Sequence, residues 1–287
     1  MTTPGPTRRR RALMALCGLT CLLLAVLVQG RMDEGKGRRP IHPLLYLPSG
    51  KYLKVMALGF DGLLADVLYL WSIQYYGNLE IKDRYDYLER IYEQVITELD
   101  PHYLDPYLVG ALIMSSEARN PEMALRLLDK GVRANPDKWI MPFEAGFLCY
   151  NDLHDYARAA GYFEKALAIP DVHPLVRRLH AEMYNRAGDK RTSLREWLEI
   201  DRTTDDPYVH NVAWNHAHDL KVDVDLADLK DAVGRFRARE GRLPRRMREI
   251  VDVGLLPSLP RDPEERDYSY DPGTGEVLYR GGLVLGR

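Results

Sequence analysis

Two carboxylates, Asp61 and Asp66, stand five positions apart inside an otherwise apolar stretch at residues 55–71. A pair of carboxyl groups can serve general acid–base chemistry. No third partner for them is evident, and such aspartates more commonly cap helices or pair with a nearby base. His210, His216 and His218 form the one histidine cluster. On a helix, His210 and His218 lie about 12 Å apart along the axis, too far to share a metal ion. His216 and His218 would point to nearly opposite sides. The cluster reads as polar-face residues, and neither a metal site nor a cofactor site is assigned. Cys17, Cys21 and Cys149 offer no disulfide framework and no zinc spacing.

A third candidate is basic. Arg235, Arg237, Arg239, Arg242, Arg245, Arg246 and Arg248 crowd one segment and suit phosphate contacts in nucleic acid or lipid headgroups. A solvated helix face and turn explains them as well, and the formal net charge of −2 argues against a chain built as a whole to coat nucleic acid. The sequence holds no phosphate-binding glycine-rich loop, no nucleophile elbow and no His-Glu-x-x-His motif. The residues therefore point away from an enzyme. An envelope enzyme using Asp61/Asp66 or the histidines is the first alternative, and a nucleic-acid binder through the 235–248 stretch is the second.

The elements that would position these residues begin with a basic tail, 1–11, holding Arg8, Arg9, Arg10 and Arg11. An uncharged run, 12–28, follows and reaches about 25 Å as a helix, at the short end of what spans a bilayer. Four arginines before it favour a cytoplasmic N-terminus, with the remainder exported. Residues 12–29 are accordingly expected to be a transmembrane signal anchor in the inner (cytoplasmic) membrane. The alternative is a cleaved signal ending near Gly30. Residues 30–50, rich in glycine and proline, read as a linker. The stretch 55–71 raises the question of a second span, but Asp61 and Asp66 would each cost about 2.5–3.5 kcal/mol in lipid. It is expected to be the buried opening helix of the soluble part.

The middle of the chain repeats. Pro101, Pro136 and Pro170 recur at intervals of 35 and 34 residues, the period of stacked helix-turn-helix units. Phe143-x-x-Gly146-Phe147-x-x-Tyr150 is followed by Ala159-x-x-x-Phe163-x-x-Ala166. One unit earlier stand Leu108, Ala111, Leu112, Ala124, Leu128, Gly131 and Pro136; one unit later, Tyr184, Gly188, Asp189, Ser193, Trp197 and Ile200. A degenerate first unit uses Trp71, Tyr75, Leu88, Tyr92, Val95 and Pro101. Ala124, Ala159 and Ser193 supply the small side chain two helices need to cross closely, and Leu128, Phe163 and Trp197 fill the space four positions on. Each proline closes the second helix.

These positions resemble the tetratricopeptide (TPR) repeat over about residues 70–202. Leu112 and Phe147 depart from it, standing where that repeat carries a small residue, which implies looser or shifted packing of the first helix. The fold expected is mainly α: an N-terminal transmembrane helix, a TPR-like α-solenoid of about three to four hairpins over 51–202, a capping helix over 203–222 and a small C-terminal α+β module over 223–287.

In that last module, Leu226, Leu229, Val233 and Phe236 stripe a helix ending before Gly241, and Tyr268–Asp271 and Glu276–Tyr279 flank a glycine turn as a β-hairpin. The order of Gly241 to Pro244, Leu259 to Pro263 and Tyr268 to Pro272 resembles the globular end of type II secretion pseudopilins. The chain lacks the processed N-terminal helix of a pilin. The acidic cluster Asp262, Glu264, Glu265 and Asp267 is too irregular to assign as a calcium site.

The TPR resemblance implies a concave face lined by the first helix of each pair, which holds an extended or helical peptide. Spacing from Leu108, Phe143 and Arg177 places Ile113, Ser116, Glu144, Leu148, Asn151, Arg178, Glu182 and Asn185 on it. The Lys/Asn/Arg clamp that some TPR proteins use for a terminal carboxylate is absent, and Glu144 and Glu182 would repel one. The ligand expected is an internal or helical protein segment, not a small molecule or nucleic acid. An ordinary alternative is that this face only contacts the C-terminal module. The function expected is a membrane-tethered scaffold for a cell-envelope assembly such as a secretion, pilus or transporter complex.

Overall fold

The structure, a computed structural model, describes residues 18–20, 23, 24, 27, 47–79, 81 and 84–285. The basic tail, most of the apolar run and nearly all of the linker lie outside the described residues. Of that run, Gly18, Leu19, Thr20, Leu23, Leu24 and Leu27 are described, and all are helical. Among the described residues no helix is long and apolar enough to cross a membrane. The chain divides into two compact units, Met1–Leu47 and Pro48–Arg287.

The second unit is mainly helical, with one two-stranded antiparallel sheet. It opens with α1 (Gly50–Met56) and α2 (Asp61–Gly77). Helix α3 runs as Arg84–Ile91, a π turn Tyr92–Ile96 and a last turn Thr97–Leu99; α4 is Asp105–Leu112 extended by a π turn Ile113–Glu117. Then come α5 (Pro121–Ala134), α6 (Ile140–Asn151), α7 (Tyr156–Leu167), α8 (Leu175–Arg186) and α9 (Lys190–Thr203). From α4 to α9 each helix packs on the one before and the one after it in the chain.

Hairpins α4/α5, α6/α7 and α8/α9 are made by one local device used three times. The second helix of each starts on an Asx cap: Asn120, Asp155 and Asp189 accept from the backbone N–H of Met123, Arg158 and Thr192 at 3.0–3.2 Å. Such a cap is worth about 1 kcal/mol, because it satisfies a donor the helix leaves open. The residue before each cap is left-handed: Arg119 (φ 53°), His154 (φ 53°) and Gly188 (φ 88°). This kink turns the chain back within a few residues. The cap residues' own N–H groups close it by donating to Met114, Cys149 and Tyr184 carbonyls.

Where the helices of a pair cross, Ala124, Ala159 and Ser193 are fully buried, and Leu128, Phe163 and Trp197 fill the space beside them. The Ser193 hydroxyl donates to the Ala181 carbonyl at 2.7 Å, so the one polar crossing residue is satisfied by the helix it crosses. Between units, buried Asn135 donates to the carbonyls of Pro101 (3.0 Å) and Gly131 (3.3 Å), tying the end of α5 to the previous loop.

The opening helix departs from the expected burial. Ala65, Ser72 and Tyr75 face inward, and Ser72 Oγ lies 3.0 Å from Tyr92 OH in a hydrogen bond. The opposite side, with Leu63, Val67 and Leu70, is open. The helix carries large apolar side chains on opposite sides, and this unit covers one of them.

The expected break at residue 222 also does not occur. Helix α10 (Pro207–Glu240) is continuous from its Asp206 cap to Gly241, whose φ of 72° ends it. Its 34 residues span about 51 Å. The two stripes read from the sequence lie on this one helix and enter different cores. Ala213, Ala217 and Leu220 pack with Ala181, Trp197 and Ile200. Val222, Leu229, Ala232, Val233 and Phe236 pack with Ile250, Tyr268 and Val277 of the C-terminal module. That module adds α11 (Arg248–Asp252) and strands β1 (Ser269–Asp271) and β2 (Glu276–Leu278), paired Ser269 to Leu278, Tyr270 to Val277 and Asp271 to Glu276. The hairpin is where the alternating tyrosines place it.

Two aromatic residues of the same hairpin separate core from surface. Phe163→Ala is expected to cost about 3–5 kcal/mol, because it empties a fully buried site. Phe147→Ala, at a side chain 41% exposed, is expected to cost no more than about 1 kcal/mol. Urea titrations of both variants, followed by circular dichroism, check the contrast.

Candidate functional site

The face between the first two hairpins holds a cavity of about 220 Å³. Its apolar wall is Leu108, Ala111, Leu112, Leu128, Phe147 and Leu148, and its polar side is Ser115, Ser116, Glu144, Asn151 and Asp152. The π turn of α4 carries Ser115 and Ser116; one extra residue in the turn widens the helix there, and such turns recur at functional sites. Ser115 Oγ donates to Asp152, Ser116 Oγ to the Leu112 carbonyl at 2.6 Å, and Asn151 Nδ2 to Asp152 at 2.7 Å. Glu144 stands apart from this network. Burial alone pushes its carboxyl above the ordinary carboxylate range.

Of the eight residues expected on the binding face, Ser116, Glu144, Leu148 and Asn151 line this cavity together. Leu148 presents little surface, and Ile113 is buried without lining the cavity; both belong mainly to the core. Arg178 lines a separate opening of about 510 Å³, with His173, Arg177, Glu196, Thr203 and Val209. Glu182 and Asn185 line neither. Glu182 accepts from Arg186 Nε at 2.9 Å and from Asn185 Nδ2 at 3.4 Å, so its charge is committed to its own helix. No residue of the C-terminal module lines the 220 Å³ cavity.

The residues overlooked in the sequence are Leu112, Phe147, Ser115 and Asp152. A signal for the first two was present. A large side chain at a position that hairpin packing reserves for a small one cannot go inward, and Leu112 and Phe147 are both exposed. They build the rim of the cavity.

The rival chemistries do not converge. Asp61 and Asp66 lie five residues apart on α2 and so point about 140° away from each other. Burial pushes the Cys149 thiol up to about 12, leaving it a poor nucleophile. His210 pairs with Asp201 at 2.9 Å, His216 stacks on Trp197 with ring centres 4.2 Å apart, and His218 turns toward the C-terminal module. Among the described residues no three His, Cys, Asp or Glu side chains gather as a metal site. In the basic stretch, Arg235 pairs with Asp231 (2.9 Å), Arg239 with Glu240 (3.4 Å) and Arg242 with Glu249 (2.8 Å).

His218 makes the most connected polar cluster. Its Nδ1 lies 2.8 Å from Asp219 and its Nε2 3.0 Å from Glu264, while the Tyr279 hydroxyl donates to Glu264 at 2.9 Å. Asp219 accepts from the backbone N–H of Val284 and Leu285 at 2.8 and 2.9 Å. Burial pulls the imidazole down, but its hydrogen bonds to Glu264 and Asp219 outweigh that and leave it raised. Glu264, held by His218 and helped by Tyr279 and Arg266, falls to about 2. Burial raises Asp219, but the two backbone donors and His218 more than offset it, and its net shift is downward. The remaining acids of the cluster have other duties. Asp262 is buried and accepts from Arg266 N at 2.7 Å and Glu264 N at 3.0 Å, shaping the loop.

No family model matches the chain, and no curated protein is detectably similar to it.

The His218 cluster gives a pH dependence with a definite sign. A raised imidazole stabilises the fold below its unfolded value, near 6.5, and that contribution is lost as pH rises through the folded value. The lowered carboxylates stabilise above about pH 4 and lose that as pH falls toward their folded values. His218→Gln is expected to destabilise by about 1–3 kcal/mol at pH 6, since it removes the charge-assisted hydrogen bonds to Asp219 and Glu264. It should also flatten the decline in Tm between pH 6 and 8. Thermal melts across that range read both effects, and an unchanged slope would remove the cluster as a pH-linked contact.

Proposed function

We propose that this chain is a membrane-tethered scaffold whose stacked hairpins form a TPR-type solenoid and hold a segment of another protein. The observation that carries this reading is the cavity between the first two hairpins, rimmed by exposed Leu112 and Phe147 and containing the half-buried Glu144. Its chemistry suits one apolar side chain seated between Leu112 and Phe147. A donor beside it, an amide or a basic group, would meet Glu144, a carboxyl that burial has made costly to ionise alone. A helical or internal segment offers that pair of groups at adjacent positions; a free chain end would bring a carboxylate to a face already acidic.

The tether is the uncharged run preceded by Arg8, Arg9, Arg10 and Arg11, which favours anchoring in the inner membrane with the bulk of the chain on the extracytoplasmic side. Scattered histidines, diverging aspartates and an inert thiol support a binding role over an enzymatic one. An envelope assembly of the secretion, pilus or transporter kind is the setting this reading favours, and the C-terminal hairpin module, similar in its sequence order to pseudopilin ends, agrees with it.

A photoreactive amino acid at Phe147 tests the proposal in intact cells. One reproducible crosslinked partner is expected, with its yield reduced about tenfold by Leu112→Asp, whose site is exposed and tolerant of change. The same probe at Leu198, an exposed position away from the cavity, should not capture it. Absence of any product from Phe147 at normal expression would overturn the groove assignment.

A further inference from the structure

A group of exposed apolar side chains lies far from the cavity in sequence, on α1, α2 and the turn joining them. Tyr52, Val55 and Met56 on α1, Leu58 and Phe60 in the turn, and Leu63, Val67 and Leu70 on α2 are all exposed, Leu58 by 85% and Leu70 by 65%. Soluble surfaces rarely group so many large apolar side chains without a purpose. On the α2 helical wheel Leu63, Val67 and Leu70 fall within about 60° of arc, opposite the buried Ala65, Ser72 and Tyr75.

We infer that this face lies in the headgroup–acyl boundary of a lipid bilayer, as a second and peripheral membrane contact. Two observations select lipid over a protein. Exposed Lys51 and Lys54 flank the edge on α1, and Tyr52 and Phe60 stand at it, the mixture of cations and aromatics that interfacial segments carry toward anionic headgroups. Asp66 sits on one flank of the α2 stripe and not at its centre. In a helix lying in the interface that flank is at headgroup level, whereas a spanning helix would bury it in hydrocarbon.

The length of the chain agrees. Twenty-one residues separate Val28, the end of the uncharged run, from Gly50, the start of α1. Even fully extended, so short a chain reaches no more than about 75 Å, which bounds how far the α1–α2 edge can stand from any bilayer holding the run. In this respect the inference rests on the tether proposed above. A peripheral contact added to an anchored run would orient the helical unit against the bilayer.

The test uses the full-length protein reconstituted into vesicles of phosphatidylcholine and phosphatidylglycerol. Cys17→Ser and Cys21→Ser leave buried Cys149 as the background thiol. A fluorophore is then attached through Leu63→Cys, Leu70→Cys or, as a control on α9, Leu198→Cys. All three positions are exposed, so the fold should tolerate them. Lipids with a nitroxide on the acyl chain should quench the labels at 63 and 70 at least about twofold more than the label at 198. Co-flotation of the protein with equal quenching at all three positions would leave the tether intact and overturn the docking face. Failure to co-float would overturn both. Self-quenching at 63 that does not need vesicles would assign the face to a second copy of the chain instead.

Discussion

Two antiparallel helices approach to about 8–10 Å only where one of them gives up its side chain, and this constraint sets the middle of the molecule. Ala124, Ala159 and Ser193 yield at the crossings, and all three are fully buried. Glycine does the same in the first helix of the second pair: a Cβ on Gly146 would stand 2.8 Å from the Phe163 ring. Once the backbones are this close, no room remains for Leu112 or Phe147 between them. Those side chains are forced onto the outer face, where they rim the cavity. The candidate site is thus a by-product of tight pairing, and its apolar rim could not be tucked away without separating the helices.

The repeat was legible because its determinants are local. The proline period, the small crossing residues and the tyrosines around the glycine turn each act within one hairpin, and each appears in the structure where the spacing puts it. The turns between paired helices were only partly legible. Gly188 announces a left-handed residue, but Arg119 and His154 adopt the same conformation without a glycine. There the Asx cap that follows carries the information instead. The site was half legible: spacing brought Ser116, Glu144 and Asn151 to one face but could not tell that Ile113 turns inward or that Glu182 is taken by Arg186.

Two misreadings have one physical cause. Hydropathy records what a side chain would leave water for, not which surface receives it. Helix α2 carries large apolar side chains on opposite sides, so its sequence argues for burial of both; the rest of this unit covers only the side of Ala65, Ser72 and Tyr75. In α10 the stripe changes direction near residue 222, which resembles a boundary between helices. Nothing there breaks a helix, however, since residues 221–226 contain neither glycine nor proline. The stripe shifts because the partner changes, from the end of the repeats to the C-terminal module.

That shared helix decides how the C-terminal module can behave. A module on a flexible linker would sample many orientations; one built on the second half of a continuous helix cannot swing without bending it or leaving its core. Polar contacts on both sides of the junction strengthen the restraint. Lys190 reaches Asp223 at 2.5 Å from the start of α9, and Tyr268 OH donates to buried Asp225 at 2.8 Å from the module. His218, about one turn before the junction, holds Glu264 of the module. Contacts from the repeats and from the module thus interleave along the same two turns of α10, so neither can loosen without disturbing the other. The module therefore extends the repeat stack through one continuous helix and is not free to swing on a linker.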